Sequence, residues 1–352
     1  MTRLAWAAAA VGLGLILLVL GLEAAGYDAQ PALLALWSGA FGSWYAFTSA
    51  TLVRSVPLIL IGLGIAVAFR AGVFNIGAEG QFYAGAIAAT WVGLHLGSDS
   101  AALTVTLLLL AAALAGAAWV AIPVWLKLRF GVIEVISTLL LNFVADSLVS
   151  LMVLGPLQER SHIYPQSDQI AGSARLPLLF GTRLHAGFPL ALLAALVLWF
   201  LFARTLWGFR LRAVGVGPRA AEVSGGVDSQ KMGAVALFIS AAMAGLAGGV
   251  EVSGVSGALF QNLSPGYGFT GIAVALLGGL HPIGVVLAGI LFGALEAGAG
   301  AMQRDAGVPA VAVYVVEAVI IIVALLATAP KGGWSGVRII RRIPPTANRT
   351  TG

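Results

Sequence analysis

Between Gly64 and Gly85 the sequence reads GIAVAFRAGVFNIGAEGQFYAG, an apolar run that carries Arg70, Asn75, Glu79 and Gln81 in its middle. A guanidinium, a carboxylate and two carboxamides can bind the hydroxyls or base edges of a polar solute, or they can bind one another. Against hydrocarbon they would cost several kcal/mol each, so they must face protein or water. Gly72, Gly77 and Gly80 flank them, the mark of a spanning helix interrupted in its course with freed backbone groups lining a cavity. Two readings stand: the stretch is the wall of a translocation path, or Arg70 and Glu79 pair to hold two helices together. Both can hold at once.

A second polar set recurs between Val132 and Leu154, where Glu134, Thr138, Asn142 and Asp146 are spaced every four positions with Ser137 beside them. That spacing puts them on one slowly drifting stripe of a helix. Such a stripe faces either an aqueous path or a polar seam between helices, in which each bond contributes about 1 kcal/mol. Glu134 and Asn142 are read as path residues; for Asp146 the two readings stand level. No phosphate-binding loop, zinc-protease motif or nucleophile elbow occurs. With Cys 0 and four scattered histidines (His95, His162, His185, His281), no metal centre is expected. The chain is not expected to be an enzyme by itself. Carboxylates on separate apolar stretches (Glu79, Glu134, Glu251, Glu296, Glu317) keep a proton-coupled carrier open, because such relays use intramembrane acids.

The elements that must position these residues follow from composition. A chain of 352 residues with 60% hydrophobic and 9% charged residues is an all-α, polytopic membrane protein. Gly 46 fits closely packed helices. Apolar runs at 4–22, 55–69, 76–96, 102–126, 132–154, 188–203, 232–253, 268–280, 283–302 and 309–329 give about ten crossings, with broken helices near the middle of the membrane. The first run is read as a helix because it is too long for a signal peptide. Residues 27–52, rich in Trp and Tyr, read as an interfacial anchor outside. Residues 155–187 read as an extracytoplasmic loop. The excess charge of +5 gathers at 204–231 and in the tail 331–352, which marks both as cytoplasmic. With Lys127 and Arg129 it places both termini on that side, and it indicates membrane orientation rather than nucleic-acid binding. Residues 1–330 form a single transmembrane domain on this reading.

An internal echo accompanies the broken stretch. GIAVAFRAGVFNIG at 64–77 and GIAVALLGGLHPIG at 271–284 agree at eight of fourteen positions. Paired broken helices in two halves are a feature of transporters, although Gly- and Ala-rich spans also match by chance. The expected topology gives both copies the same orientation.

Thr205 to Met232, TLWGFRLRAVGVGPRAAEVSGGVDSQKM, reads as a short helix with tight turns at both ends, offered to a partner's groove, or as an ordinary basic connector. Its R-A-V-G-x-x-P-x-A-A pattern at Arg212–Ala221 resembles the ATPase-coupling loop of permease subunits of ATP-binding-cassette importers, in the branch for simple sugars, branched-chain amino acids and nucleosides. Within that branch, FNIGAEGQ at Phe74–Gln81, GVIEVISTLLLN at Gly131–Asn142, SAAMAGLAG at Ser240–Gly248 and GYGFTGIAVALLG at Gly266–Gly278 are similar to the nucleoside-type permeases. The resemblance runs in order from about Pro57 to Glu317 and departs from the family pattern at Ile133, Gly217 and Gly226.

The resemblance implies a subunit of a bacterial or archaeal cytoplasmic (inner) membrane with no cofactor of its own. ATP and Mg would sit in a cytoplasmic ATPase chain. A second permease, similar or identical, and an extracytoplasmic substrate-binding protein would complete the importer. Arg212, Gly215, Pro218, Ala220, Ala221 and Gly225 would belong to the helix received by the ATPase. Asn75, Glu79, Gln81, Glu134, Thr138 and Asn142 would line the path of a purine-type nucleoside, with Phe74, Phe82, Phe143 or Phe269 offering apolar faces to the base. The same machine for sugars or branched-chain amino acids is the alternative.

Overall fold

A computed structural model describes residues 3–96, 100–309, 311–315, 318, 319 and 322. Its helices are α1 (Arg3–Ala24), α2 (Ala29–Phe41), α3 (Trp44–Ala46), α4 (Val53–Arg70), α5 (Ala78–His95), α6 (Ala101–Phe130) and α7 (Glu134–Val153), followed by α8 (Gly187–Arg204), α9 (Leu206–Val216), α10 (Pro218–Gly225), α11 (Ser229–Glu251), α12 (Tyr267–Leu277) and α13 (Pro282–Ala306). No strand occurs among the described residues, only two isolated bridges in loops. Among the described residues six helices are long and apolar enough to cross a membrane, fewer than the expected ten. For α12 and α5 the difference has a physical cause. α12 has 11 residues, about 16 Å of helix at 1.5 Å each, roughly half a bilayer core. α5 opens on the polar Glu79 and Gln81, and the run at 309–329, with Glu317 and the tail, lies largely or wholly outside the described residues.

The expected interfacial anchor at 27–52 is corrected. Trp44 to Arg70 is one continuous helix of 27 residues, with a π-helical turn at Phe47–Leu52, so the second half of the supposed anchor belongs to a buried span. The first half, α2, packs a small-residue stripe (Ala29, Ala32, Ala35, Ala40) inward, and a Cβ on Gly39 would stand 2.3 Å from that of Ala301 in α13. Trp37, Trp44 and Tyr45 point outward.

The centre is built from α4, α5, α6 and α11, packed through glycine. A Cβ on Gly85 would lie 2.1 Å from the Gly245 carbonyl, and one on Gly116 2.4 Å from that of Ala241. Backbones this close maximise dispersion contact where lipid offers no hydrophobic drive to associate. α4 and α12, which carry the two echoed segments, run side by side in the same direction: Gly62 faces Val274 and, further along, Arg70 meets Leu280. The 155–187 loop is tied across one end of the bundle, with the N–H groups of Ser167, Ile170 and Leu176 donating to the carbonyls of Leu259, Gly257 and Ser253.

His185 closes that loop. Its ring is fully buried and lies between Gly187 and Gly254, where added Cβ atoms would come within 2.7 and 2.6 Å of it. Nδ1 accepts the Gly187 N–H at 3.2 Å, so the proton sits on Nε2, which has no partner. Burial pushes the imidazole down from 6.5 to about 4. The folded form therefore stays neutral over a range in which the unfolded chain takes up a proton. Stability from this group is complete above pH 6.5 and is lost as pH falls towards 4, by on the order of 3 kcal/mol. Thermal unfolding of the purified protein is expected to show this loss, and His185→Gln should flatten the profile over that interval. Gly245→Leu should lower the unfolding midpoint at every pH, because overpacking costs about 1–3 kcal/mol.

Candidate functional site

The two echoed segments break in the same way. In the first, the N–H groups of Ala71, Gly72 and Val73 donate to the carbonyls of Val67, Phe69 and Ala68; in the second, those of Gly278, Gly279 and Leu280 donate to Val274, Leu276 and Ala275. The aligned Gly72 and Gly279 both adopt the left-handed conformation, at φ +75° and +62°. The same glycine-terminated ending closes α6 at Gly131 and α10 at Gly226, so the echoed segments share a common helix stop in addition to their sequence.

Beyond the break the two copies diverge, and the aligned residues explain why. In the second, Pro282 occupies the first turn of α13, where its missing N–H removes a group that would need a partner. In the first, Asn75 stands at that position and the chain runs on without helix to Gly77 before α5 begins inside the bundle. Its freed donors are met by side chains. Asn75 Oδ1 accepts the Gly77 N–H at 3.0 Å, and Asn142 Oδ1 accepts that of Gly80 at 2.9 Å. Asn142 Nδ2 returns a bond to the Ile76 carbonyl at 2.8 Å. Asn75 and Gln81 exchange bonds of 2.8 and 3.0 Å, and Asn75 also donates to Ser240 Oγ at 2.9 Å.

Glu79 lies in the first turn of α5 and reaches a second helix start. Its Oε2 accepts the Gly268 N–H of α12 at 2.6 Å, and the Ser264 hydroxyl bonds it as well. Two helix N-termini, each carrying about half a positive charge, thus converge on one carboxylate. α12 ends level with α4, so its start lies about 16 Å deeper by its 11 residues. The convergence is within the bundle.

Of the expected path residues, the structure brings Asn75, Glu79, Gln81 and Asn142 together. Each is at most 7% exposed and bonded to protein. Thr138 is buried against Gly77 one turn away, with its hydroxyl on the Glu134 carbonyl at 2.7 Å. Glu134 stands apart, paired with Lys127 at 3.0 Å. It lines a cleft of about 450 Å³ between the 71–73 break, the α6–α7 turn, α9 and the start of α11. The other reading of the opening stretch, an Arg70–Glu79 pair, is replaced by separate anchors: Glu79 holds α12's start, while Arg70 Nε donates to the Leu280 carbonyl at 2.8 Å. Phe82 is core, whereas Phe74, Phe143 and Phe269 are exposed, and so is Asp146, midway along α7. Asp146 is absent from the expected path set, yet its four-residue spacing from Asn142 placed it on the same stripe. Its outward position came only with the fold.

The 204–231 segment folds as two short helices. Thr205 caps α9, Gly217 leads into Pro218 at the first position of α10, and Gly226 ends α10 in the left-handed conformation at φ +60°. Glycine suits that conformation, which gives the departure at Gly226 a structural use. Pro218, Ala220 and Gly225 are exposed on α10, Ala221 is turned inward, and Val216 and Val223 are 91% and 88% exposed. Gly215 belongs to α9 and packs on Arg70 and Gly72, and Arg212 donates to the Phe202 carbonyl.

The family described as "Branched-chain amino acid transport system / permease component" matches residues 47–325. The chain is 40% identical over 320 residues to a guanosine ABC transporter permease protein of Bacillus subtilis, covering 88% of this chain and 91% of that one. It is 38% identical over 282 residues to a glucose ABC transporter permease protein of Haloferax volcanii (77% and 74% covered). Against a nucleoside ABC transporter permease protein of Lactococcus lactis subsp. cremoris the figures are 34% over 281 residues, with 77% of each chain covered. No solved structure matches it.

The network makes a stability prediction. Glu79→Ala leaves the Gly268 N–H without its acceptor, at a cost of about 1–3 kcal/mol, whereas Glu79→Gln keeps an oxygen there. Thermal unfolding should rank wild type above Gln above Ala.

Proposed function

The chain belongs to the branched-chain amino acid transport system permease family, and from that premise we propose that it is the membrane subunit of an ATP-driven importer of purine-type nucleosides. The observation that carries the reading is the similarity, over nearly the whole chain, to a guanosine permease. The α9–α10 corner supports the coupling half: Val216 at the end of α9 and Val223 on the short α10 are exposed side by side in the chain and suit a groove on a partner. That partner would be a cytoplasmic ATPase holding ATP and Mg, and an extracytoplasmic protein would deliver the solute. On this reading residues 1–330 are one transmembrane domain, 155–187 lies outside, and both termini and the tail 331–352 lie in the cytoplasm.

The path is proposed to follow the outer face of the 71–77 segment, α7 and α12, where Phe74, Phe143 and Phe269 are 50%, 67% and 46% exposed and adjoin Asn75, Asn142 and Gly268 in the chain. An exposed Asp146 halfway along an apolar helix is costly against lipid and suits water or a second permease. Aromatic faces can stack on a base, and Asp146 can accept from ribose hydroxyls. Asn75, Gln81, Asn142 and Thr138 would shape this wall from behind, Glu79 would fix the helix starts, and Glu134 would border the cytoplasmic mouth. The carboxylate–hydroxyl chemistry serves a hexose equally well, and the glucose permease relative supports sugar as the second reading.

Vesicles carrying the chain with its ATPase, permease and binding-protein partners test this with radiolabelled guanosine, uridine, glucose and leucine, with and without ATP and an uncoupler. Guanosine uptake that needs ATP and survives the uncoupler is expected; uptake by the chain alone, abolished by the uncoupler, would mean a proton-coupled carrier. Asp146→Asn should lower guanosine uptake about tenfold, the worth of one charged hydrogen bond, while the unfolding midpoint stays put. Val223→Arg should abolish co-purification of the ATPase.

A further inference from the structure

One residue touches α8, α9 and the turn after α12 at once. Arg70 ends α4, and its Nε donates to the Leu280 carbonyl, 2.8 Å away in the second break. Its guanidinium carbon lies 4.4 Å from the centre of the Phe202 ring, near the end of α8. Phe202 in turn accepts a hydrogen bond on its carbonyl from Arg212 of α9 and stacks on Trp207 of the same helix at 6.3 Å. On the other side, the Arg70 carbonyl is seated against Gly215 of α9 so closely that a Cβ there would lie 2.0 Å from it. The Gly215 backbone also covers Gly72, the left-handed residue of the first break.

Electrostatics fixes the residue type. α4 and α12 run in the same direction and finish together, so two helix C-termini, each worth about half a negative charge, open on one spot. A guanidinium there compensates both, donates to a freed carbonyl, and lays its flat face on an aromatic ring, which an ammonium does less well. The sequence echo makes the choice legible, because the position aligned with Arg70 in the second segment is Leu277. One copy supplies the cation that joins the two.

We infer that Arg70 is the joint through which displacement of the α9–α10 pair is passed to both broken helices at once. α9 presses on Gly72 and the Arg70 carbonyl directly and on the guanidinium through Phe202. Arg70 then carries the motion to Leu280 and so to α12, whose far end is held by Glu79. Neither break can shift without the other while this joint is whole. Arg70 is a positioning residue on this account and has no contact with solute. The inference rests on the importer reading proposed above.

The test is the ratio of guanosine imported to ATP hydrolysed by the complete assembly in vesicles, measured for wild type, Arg70→Leu, Arg70→Lys and Phe202→Leu. With Arg70→Leu, hydrolysis should persist while the ratio falls at least tenfold; Arg70→Lys, which keeps the charge, should recover part of it. Phe202→Leu keeps apolar volume and loses the ring face, so it should lower the ratio in the same sense, and it serves if Arg70→Leu does not fold. A ratio equal to wild type in Arg70→Leu and Phe202→Leu, whether both activities fall together or neither falls, would overturn the joint and leave the importer standing. A wild-type assembly with no ATP-dependent uptake of any solute would instead overturn the importer and the joint with it.

Discussion

The structure depends on one constraint: a broken helix frees N–H and C=O groups, and those buried away from water must find a partner in the protein. The partners found here sort by charge. At the inner helix starts, where donors and positive dipole ends collect, stand acceptors: the Asn75 and Asn142 carboxamide oxygens and the Glu79 carboxylate. At the ends of α4 and α12, where carbonyls and negative dipole ends collect, stands the Arg70 guanidinium. The polar residues that interrupt the hydrophobic sequence are therefore the ones that the interruption of the helices requires.

This bears on how far they can also handle solute. Asn75 and Asn142 each have their oxygen and nitrogen engaged, so a passing solute could bind them only by displacing a bond that holds α5 in place. Exposed groups carry no such penalty. Phe74, Phe143, Phe269 and Asp146 are exposed, and a contact with any of them displaces no bond that holds α5 in place. Two layers result: a buried set that fixes the broken backbone and an exposed set free to change partners.

Much of this was legible in the sequence, with informative exceptions. The break at 71–77, its polar occupants and its echo at 278–281 follow from Gly72, Gly279 and the matching GIAVA segments, since a left-handed turn between apolar runs leaves that mark. The capped helix at 218–225 follows from Pro218 and Gly226. The contacts of the polar residues did not. Arg70 and Glu79 are close in sequence and opposite in charge, which suggested a pair, yet the seven residues between the helices carry Glu79 away from the level of Arg70, and Glu79 binds the start of α12 while Arg70 binds the turn after its end. The aromatic-rich 27–52 segment misled for another reason. Its Trp and Tyr side chains do face outward, but Ala29, Ala32, Ala35 and Gly39 bury the other face, and a small-residue stripe is a weaker sequence signal than aromatic rings.

The outer face of α7 and the α9–α10 corner each expose side chains that the surroundings proposed for them suit poorly. Lipid can cover Ile136, Leu140 and Phe143, but it solvates Asp146 poorly, and water covers Val216 and Val223 poorly. A second membrane chain facing α7 across an aqueous gap and a groove-bearing protein on α10 would correct both. Because α9 links α10 to the break whose far side leads into α5 and α7, covering the second surface would also act mechanically on the first.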